Sequence, residues 1–354
     1  MNLTRPQRID RQTIKKILLI RLRRIGDIIM TTPAVSALKS GFPNASISYI
    51  VEEPYRELVE GNPNLDRILV LKKKQSRKDF LKFARQIRRE KYDAVIDFHG
   101  GPRASLITCF SKARLKVGYK IKYKNFIYHI KLPRGHQNEL IHSVENHINL
   151  VRALGVDTET SPPLFLPQAK KTDIEKVKAF ISENRLDESK IISLHIGAGN
   201  RFRDWGVDNL INLANLLSRQ PDVKIVLIGA DEDKKVESDL LNKSSAPLLS
   251  LVGKLNLREL REIIFLSALF VGPDSGPMHI AATTPTPIVA YFGPTLPAHF
   301  APWKAKTRLI EKDFDCRPCK QKSCIYEDFR CLRSISPEEI CEACTYFLNI
   351  PKRK

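Results

Sequence analysis

Short apolar runs alternate with amphipathic stretches along the first half of the chain. The first run is ILLI, residues 17–20, and similar runs follow in SISYIV, DRILVL, DAVIDF and RLKVGY. Continuous apolar runs of this length predict strands covered on both faces of a parallel sheet. Helical spacing of apolar positions predicts helices in YRELVEG, KDFLKFARQIRRE, PRASLITCF and NELIHSVENHINLVRALG. The alternation is typical of a doubly wound α/β sheet.

The second half repeats this pattern after a segment rich in Pro and Thr. Strands are predicted in KIISLHIGAG, VKIVLIGA, LLSLVG, LFVGPD and PIVAYFG, and helices in VDNLINLANLLS, NLRELREIIFLS and GPMHIAATT. A chain of 354 residues is too long for one ordinary core. We therefore predict two Rossmann-like domains facing each other across a cleft, with DTETSPPLFLPQAKK as the linker. Their predicted ranges are 1–165 and 166–335, followed by a C-terminal helix in 336–354 that can pack back on the N-terminal domain.

The chain is strongly basic, with 59 Lys and Arg against 39 Asp and Glu and a net charge of +20. The excess lies mainly in the first half, in RLRR, KKKQSRK, RQIRREK and KARLKVGYKIKYK. Such runs are often solvated helix faces, but an excess this large also favours an anionic partner, such as a negatively charged acceptor at a membrane surface. No apolar segment reaches the length of a signal sequence core or a membrane span, so we expect a soluble cytoplasmic protein.

The segment after the first strand contains a Gly-Asp pair at a predicted strand-to-helix corner. Asp27 lies where ligands bind in open α/β sheets, outside the carboxyl ends of the strands. The alternative is that Asp27 only caps the helix, because Asp is a favoured cap. The residue type alone does not decide between these roles.

Two loops in the second half have the composition of phosphate-binding loops. HIGAGNRFRDWG supplies Gly197 and Gly199, which permit close backbone approach, together with two arginines that can hold a diphosphate. An ordinary turn after a strand is the alternative. The loop lacks the G-x-G-x-x-G fingerprint, which argues against a nicotinamide enzyme.

The second loop, VGPDSGPMHIAA, ends a strand and opens a helix at once. The backbone N–H groups of Ser275, Gly276 and Met278 are predicted to form an anion site at the helix start. A simple turn with Asp274 as the N-cap is compatible with the same pattern. His279, one turn into the helix, is either a packed core residue or a ligand contact.

Taken together and in this order, these motifs resemble the ADP-heptose:lipopolysaccharide heptosyltransferase family, glycosyltransferase family 9. The resemblance covers residues 15 to about 303 and includes LLIRLRRIGDIIMTTPAVSALK, YDAVIDFHG, HIGAGNRFRDW, LVGKLNLRELREII and VGPDSGPMHIAAT. It implies a GT-B fold whose N-terminal domain binds the acceptor and whose C-terminal domain binds ADP-heptose. Arg203 stands where the family has Lys, and Ile196 stands before Gly197 where the family commonly has Pro.

The resemblance also implies an activity and a set of site residues. The activity is inverting transfer of heptose from ADP-L-glycero-D-manno-heptose to the inner core of lipopolysaccharide, with Asp27 as general base and no cofactor required for catalysis. The acceptor is lipid A-Kdo or a heptosylated core at the inner face of the cytoplasmic membrane. The implied donor-binding residues are Gly197, Gly199, Arg201, Arg203, Asp274, Ser275, Gly276, Pro277, Met278 and His279. The predicted acceptor-binding residues are Gly26, Arg23 and Arg24, with Arg21, Lys120, Lys122 and Lys124 as further candidates.

Two other functions stay open from the sequence. A GT-B glycosyltransferase could use another nucleotide sugar for cell-surface polysaccharide, because phosphate-binding loops do not read the sugar. A basic nucleic-acid-binding protein with a zinc module would explain the charge, but no recognition helix or aromatic platform accompanies it.

Six of the seven cysteines lie between Cys316 and Cys344, in the tail of the second domain. Crowding of this kind in a cytosolic protein favours metal binding over disulfides. Structural zinc or, less favoured, an iron-sulfur cluster is predicted, and reduced thiols or disulfides are the alternatives. The predicted metal ligands are Cys316, Cys319, Cys324 and Cys331.

Overall fold

The computed structural model describes residues 11–122, 125–135, 140–158 and 161–349. The chain forms two compact units, Met1–Pro167 and Gln168–Lys354. The division lies inside the predicted linker, two residues beyond the boundary that we expect from the sequence. Each unit contains one six-stranded parallel sheet with helices.

The sheet of the first unit has the strand order β3-β2-β1-β4-β5-β6. Its buried centre consists of β1 and its neighbours, where Leu18, Ile20, Ile50 and Val95 are buried in one apolar cluster. The chain reverses its direction of strand addition between β1 and β4, which makes their carboxyl ends the topological switch point. The strands are β1 (Lys16–Ile20), β2 (Ser46–Glu52), β3 (Arg67–Leu71), β4 (Ala94–Asp97), β5 (Leu115–Tyr119) and β6 (Ile130–Leu132).

The helix predicted after β1 is divided in two. A five-residue helix ends at Ile29, and a second begins at Thr32 with Pro33 in its first turn. Proline is tolerated there because the N–H that it lacks has no partner inside the helix. The helix predicted in YRELVEG is a 3-10 turn, Glu53–Leu58. The helices of this unit are α1 (Ile25–Ile29), α2 (Thr32–Gly41), α3 (Arg77–Arg89), α4 (Pro102–Phe110) and α5 (Ser143–Arg152).

The second unit repeats the topology, with the order β12-β11-β10-β7-β8-β9. Its switch point lies between β7 and β10, which pair in parallel. The outer strands β6 and β12 were not predicted; no residue in either is fully buried, and Arg308 and Leu309 of β12 are exposed. The strands are β7 (Lys190–His195), β8 (Val223–Ile228), β9 (Leu248–Ser250), β10 (Leu269–Pro273), β11 (Ile288–Phe292) and β12 (Thr307–Glu311).

The C-terminal helix completes the core of the second unit. Ile340, Cys344 and Leu348 on one face of it are buried in the cluster that also contains Trp205, and the Trp205 indole donates to the Ile335 carbonyl at 2.9 Å. The apolar face of this helix is therefore packed inside the second unit, and its packing on the N-terminal domain stays a prediction. The helices are α6 (Lys171–Glu183), α7 (Val207–Leu217), α8 (Lys234–Lys243), α9 (Leu257–Leu266), α10 (Gly276–Ala281), α11 (Pro297–Phe300), α12 (Arg330–Arg333) and α13 (Pro337–Leu348).

The length and hydropathy of the helices in the described ranges differ from those of membrane-spanning helices. Within those ranges, no helix combines the length and apolar character needed to cross a bilayer.

Candidate active site

A buried arginine joins the ends of the two central strands in the first unit. Arg21 directly follows β1 and is 5% exposed. Its Nη1 donates to the carbonyl of Phe98, which directly follows β4, at 2.8 Å. Arg21 therefore spans the switch point, which is where open α/β sheets bind ligands.

Asp27 lies in the first turn of α1 and pairs with this arginine. The Arg21 Nη2 to Asp27 Oδ2 distance is 2.5 Å, and the Asp27 side chain is 30% exposed. Asp27 is not the cap of α1, because the N-cap position belongs to Arg24 and carries no side-chain cap bond. The capping alternative is therefore wrong: the carboxylate is oriented by Arg21 and remains accessible to a ligand.

The other predicted acceptor residues flank this pair in the chain. Arg23 and Arg24 are exposed, whereas Gly26 is buried under the corner. Arg24 has a φ of 71°, an unusual conformation for a residue with a side chain, so the corner is strained at this point. Lys120 is exposed, and Lys124 lies outside the described residues.

Sequence reasoning missed a histidine and an arginine near the same strand ends. Burial and the positive charges of Arg21, Arg23 and Arg134 lower the pKa of His99 to about 4, so its imidazole is neutral at pH 7. Arg134 lies over the Tyr119 ring at 4.6 Å and donates to the Phe98 carbonyl at 3.4 Å. His99 comes just after the predicted strand DAVIDF, in the sequence DFHG, so its position after a strand end could have marked it as a candidate. Arg134 had no such signal, because only the fold brings it to β4.

Asp97, the last residue of β4, shapes the loop that holds His99. Its Oδ1 accepts the backbone N–H groups of His99 and Gly100, both at 2.8 Å, and its Oδ2 accepts the Tyr128 hydroxyl at 2.7 Å. Complete burial raises the pKa of Asp97, and these hydrogen bonds oppose that rise. Asp97 is thus a structural carboxylate, while Asp27 is the accessible one.

A neutral histidine joins the central strands of the second unit. His195 ends β7, and its Nδ1 lies 3.2 Å from the hydroxyl oxygen of Ser275, which follows β10. Burial lowers the pKa of His195 to about 4. The Ser275 hydroxyl is therefore held by an uncharged partner at physiological pH, and the two residues span the second switch point.

Arg203 is held beside the same loop by Asp274. Its Nη1 donates to the Asp274 carbonyl at 2.8 Å and lies 3.4 Å from the Asp274 carboxylate. The carboxylate also accepts the Thr295 hydroxyl at 2.6 Å, and Gln321 accepts from Arg203 Nε at 3.3 Å. Asp274 is thus an anchor for a cation and for the loop after β11, not the N-cap of α10, which is Ser275.

The glycines of the loop after β7 are required for different reasons. A side chain at Gly197 would collide with the carboxylate of Asp233, which itself accepts the Ala230 N–H at 2.8 Å. Gly199 has a φ of 70° with open space beside it, so the backbone there is exposed to a ligand. Arg201 is exposed, with its guanidinium 5.0 Å from the Phe202 ring.

The residues predicted after β10 differ in exposure. Ser275, Gly276 and Pro277 are partly exposed at the start of α10, whereas Met278 and His279 are buried. The side chains of Met278 and His279 belong to the core. The accessible part of this turn is therefore Ser275, Gly276 and Pro277, and α10 is a short helix of six residues.

The cysteine tail does not support the metal prediction. The four predicted ligands line one cavity of about 130 Å³, but within the described ranges no three His, Cys, Asp or Glu side chains are placed to hold one metal ion. The spacing brings the thiols into one loop without making their sulfur atoms converge. All seven cysteines are free, and burial raises the pKa of Cys331 to about 11, which favours the protonated thiol.

Comparison with known proteins assigns the chain to one family. The sequence profile of glycosyltransferase family 9 (heptosyltransferase) matches residues 80–329, more than half of the chain. The chain belongs to glycosyltransferase family 9. This family 9 glycosyltransferase is 26% identical over 329 residues to lipooligosaccharide heptosyltransferase 2 of Campylobacter jejuni, covering 90% of this chain and 93% of that one.

Solved structures show the fold of this family 9 glycosyltransferase. The glycosyl transferase family 9 structure from Veillonella parvula matches with a TM-score of 0.84 at 24% identity, over 94% of this chain and 97% of that one. The Escherichia coli ADP-heptose lipopolysaccharide heptosyltransferase II matches with a TM-score of 0.76 at 21% identity, over 94% and 98%. The predicted α/β, GT-B fold class and the predicted resemblance are thereby confirmed. Membership of this family argues against the alternative prediction of a nucleic-acid-binding protein.

Proposed function

We propose that this glycosyltransferase transfers heptose from ADP-L-glycero-D-manno-heptose to the inner core of lipopolysaccharide, with inversion and with Asp27 as general base. The observation that carries the proposal is the accessible Asp27 carboxylate held by Arg21 at the first switch point. The E. coli structure is that of an ADP-heptose lipopolysaccharide heptosyltransferase, and the C. jejuni relative is a lipooligosaccharide heptosyltransferase; both support this donor and acceptor.

The acceptor step uses the first unit. An Asp27 oxygen takes the proton of an acceptor hydroxyl while that oxygen attacks the anomeric carbon of the heptose. The bond between this carbon and the β-phosphate oxygen breaks on the opposite side, so the configuration inverts. Gly26 is the buried residue before Asp27 at this corner, and the exposed cations Arg23 and Arg24 attract the acidic sugars of a lipid A-Kdo or heptosylated core acceptor.

The leaving ADP is stabilised by the second unit. Negative charge grows on the β-phosphate as the bond breaks, and positioned cations and N–H groups stabilise such charge. Arg203 is the positioned cation, because Asp274 holds its guanidinium. The backbone after β10 supplies N–H groups, and the loop after β7 gives the diphosphate close backbone contact. The proposed donor site comprises Gly197, Gly199, Arg201, Arg203, Asp274, Ser275, Gly276, Pro277, Met278 and His279.

The acceptor lipid places the reaction at the inner face of the cytoplasmic membrane, to which the protein would bind peripherally. The net charge of +20 supports attraction to an anionic surface. Other sugars remain a testable alternative, since Arg203 and the backbone amides recognise the diphosphate and not the sugar.

The test is acceptor-dependent ADP release by purified protein, with ADP-heptose and lipid A-Kdo or heptosylated core as substrates. Wild-type protein is expected to release ADP, and Asp27→Asn to lower kcat by about 10²- to 10⁴-fold, the usual contribution of a general base. The dissociation constant for ADP, measured by calorimetry, should not change, because the donor site lies in the other unit.

Asp79→Asn is the matched control, since Asp79 is an exposed carboxylate that serves the Ser76 cap of α3. It should retain wild-type kcat. If ADP-heptose does not react and another sugar donor releases its nucleoside diphosphate, the proposed donor is wrong and that sugar nucleotide takes its place. An Asp27→Asn variant with normal kcat would remove Asp27 from the mechanism.

A further inference from the structure

The first unit has an open groove between α3 and α4 whose floor is apolar. It encloses about 690 Å³ and is lined by residues of the loop after β3, the start of α3 and the outer face of α4. Three of the large apolar side chains in it are exposed: Leu81 by 39%, Leu106 by 48% and Phe110 by 37%. Apolar side chains gathered on one exposed face indicate an interaction surface.

Cations surround this floor. Lys73, Lys74 and Arg77 line the groove and are exposed, and within the described ranges none of the three forms an ion pair. We call these three cations and the three apolar residues Leu81, Leu106 and Phe110 the α3–α4 patch.

The surrounding sequence offers little negative charge to neutralise the patch. Residues 72–90 contain nine Lys or Arg and two acidic residues. Both acidic residues are engaged: Asp79 accepts the Ser76 hydroxyl at 2.6 Å, and Glu90 pairs with Arg67 at 2.7 Å. Nine basic residues against two acidic residues leave this segment with a net charge of +7, so its positive potential is available to an external anion.

The basic loop of the patch is fixed to α4. Arg103 pairs with the buried Glu52 at 2.8 Å, and its guanidinium also donates to the carbonyl of Lys72 at 2.7 Å and that of Lys73 at 3.3 Å. This anchor holds the cations at the rim of the apolar floor, so charge and apolar surface face the same ligand.

We propose that the α3–α4 patch is the surface by which this protein docks on an anionic phospholipid bilayer. Leu81, Leu106 and Phe110 would enter the boundary between headgroups and acyl chains, while Lys73, Lys74 and Arg77 contact lipid phosphates. A basic amphipathic helix with exposed apolar side chains has the composition of a segment lying in the plane of a membrane interface. The inference rests on the proposed membrane partner and assigns it to particular residues.

A second copy of the chain fits this surface poorly. A two-fold symmetric interface would place the same patch of each copy against the other. Lys73, Lys74 and Arg77 would then face their own counterparts, with like charges in contact. The charge of the patch complements a phosphate surface and opposes self-association.

The test is sedimentation of the full chain with vesicles of 30% phosphatidylglycerol in phosphatidylcholine, compared with pure phosphatidylcholine. Wild-type protein should bind the anionic vesicles. The variant Lys73→Gln/Lys74→Gln/Arg77→Gln should bind at least tenfold more weakly, since each cation near an anionic surface contributes roughly fivefold, about 1 kcal/mol. The variant Leu81→Ser/Leu106→Ser/Phe110→Ser should lose the binding that persists at high salt.

Matched controls lie on the second unit. Lys178→Gln/Lys224→Gln/Lys235→Gln removes the same charge from exposed positions, and should bind like wild type. The apolar control removes three similarly exposed side chains and should also bind like wild type; it is Leu241→Ser/Phe265→Ser/Leu309→Ser.

A direct readout is a tryptophan placed in the patch. Leu106→Trp fluorescence should shift to the blue and be quenched by phosphatidylglycerol with brominated acyl chains, after subtraction of the two native tryptophans. Equal loss of binding in the patch and control variants, or no quenching at Leu106→Trp, would overturn the proposal. So would a dimer that dissociates only in the patch variants, or an acidic peptide that binds the patch while vesicles do not.

The failure of this proposal is distinguishable from failure of heptose transfer. Vesicle binding needs no sugar nucleotide, and ADP release can be measured with a deacylated, water-soluble core acceptor. The patch variants should keep wild-type kcat with that acceptor.

Discussion

The two units share one sheet topology and place different chemistry at the same point. In the first, the ends of β1 and β4 carry an accessible carboxylate and a buried arginine, with further cations nearby. In the second, the ends of β7 and β10 carry a neutral histidine, a serine and a backbone turn, with one anchored arginine. Strand order therefore determines where a ligand can bind, and the residues that follow each strand determine which kind of ligand fits there.

The difference matches the two halves of a group transfer. Proton removal from an acceptor requires a base, and Asp27 is the accessible carboxylate of the first site. Departure of a diphosphate requires positive charge and N–H donors, which in the proposed reaction come from Arg203 and the turn after β10. His195 is neutral at pH 7, so the positive charge held beside this turn comes from Arg203.

The largest effect is expected from breaking the first site at Arg21. Arg21→Met removes both the ion pair with Asp27 and the bond to the Phe98 carbonyl. Because misplacement of a reacting group by about 1 Å can cost about hundredfold in rate, we expect kcat to fall by about that factor, with ADP affinity unchanged. Steady-state kinetics and calorimetry measure the two quantities. Arg152→Met, which breaks the pair with Glu145, is the control, and an equal loss there would contradict the assignment.

The second prediction concerns the pH dependence of the free energy of unfolding, to which the buried His195 of the second unit contributes. The folded-state pKa of His195 is about 4, below the value of about 6.5 for an unperturbed histidine. Between these values the unfolded chain binds a proton that the folded chain does not, so the free energy of unfolding falls as pH decreases from about 6.5 toward 4. From pH 7 to pH 5 the loss from His195 is about 2 kcal/mol. Urea unfolding should show a weaker pH dependence for His195→Gln than for wild type; equal slopes would contradict a buried neutral histidine.

A smaller effect is expected in the second site from Asp274→Asn. The substitution removes the negative charge that holds Arg203 and weakens acceptance of the Thr295 hydroxyl. Because the carbonyl of the same residue still accepts from Arg203 at 2.8 Å, the guanidinium keeps part of its position. We expect the dissociation constant for ADP to rise about tenfold, close to 1.4 kcal/mol, with acceptor KM unchanged. A change in acceptor KM alone would show that the two sites are not separated in this way.

The smallest effect concerns thiol reactivity, which also differs between the units. Cys109 in the first unit is exposed, whereas burial raises the pKa of Cys331 and Cys344 in the second. Iodoacetamide at pH 8 should label Cys109 first, because the thiolate is the reactive form and access is required. Mass spectrometry of peptides measures the order, and added zinc should not protect Cys331. Protection by zinc would restore the metal prediction.

Much of the fold could be predicted because its buried strands leave a strong signal. ILLI, SISYIV and VKIVLIGA are continuous apolar runs, and each contains a strand of the structure. The edge strands β6 and β12 could not be predicted, because neither has a fully buried position: Lys131 is exposed and Thr307 is half-exposed. The break between α1 and α2 was also missed, although Pro33 marks it.

The candidate site was predictable where its residues follow strands directly. Gly197 and Ser275 were predicted from the loops that follow strands, Asp27 from the strand-to-helix corner after β1, and His99 had the same signal in DFHG. The cysteine spacing predicts a metal site that the side-chain positions of the described residues do not support, because neighbours in sequence need not direct their sulfur atoms to one point.

By itself, the sequence determined the α/β class, the two-domain organisation and the family, because these depend on local patterns of burial and on ordered motifs. Only the tertiary structure decided the roles of individual groups. Arg21 meets Asp27 and the end of β4, Asp274 anchors Arg203, and the exposed faces of α3 and α4 form one patch, because the fold brings together residues that are distant in the chain. Charge, burial and hydrogen bonding act over a few ångströms, and those distances exist only once the sheets have formed.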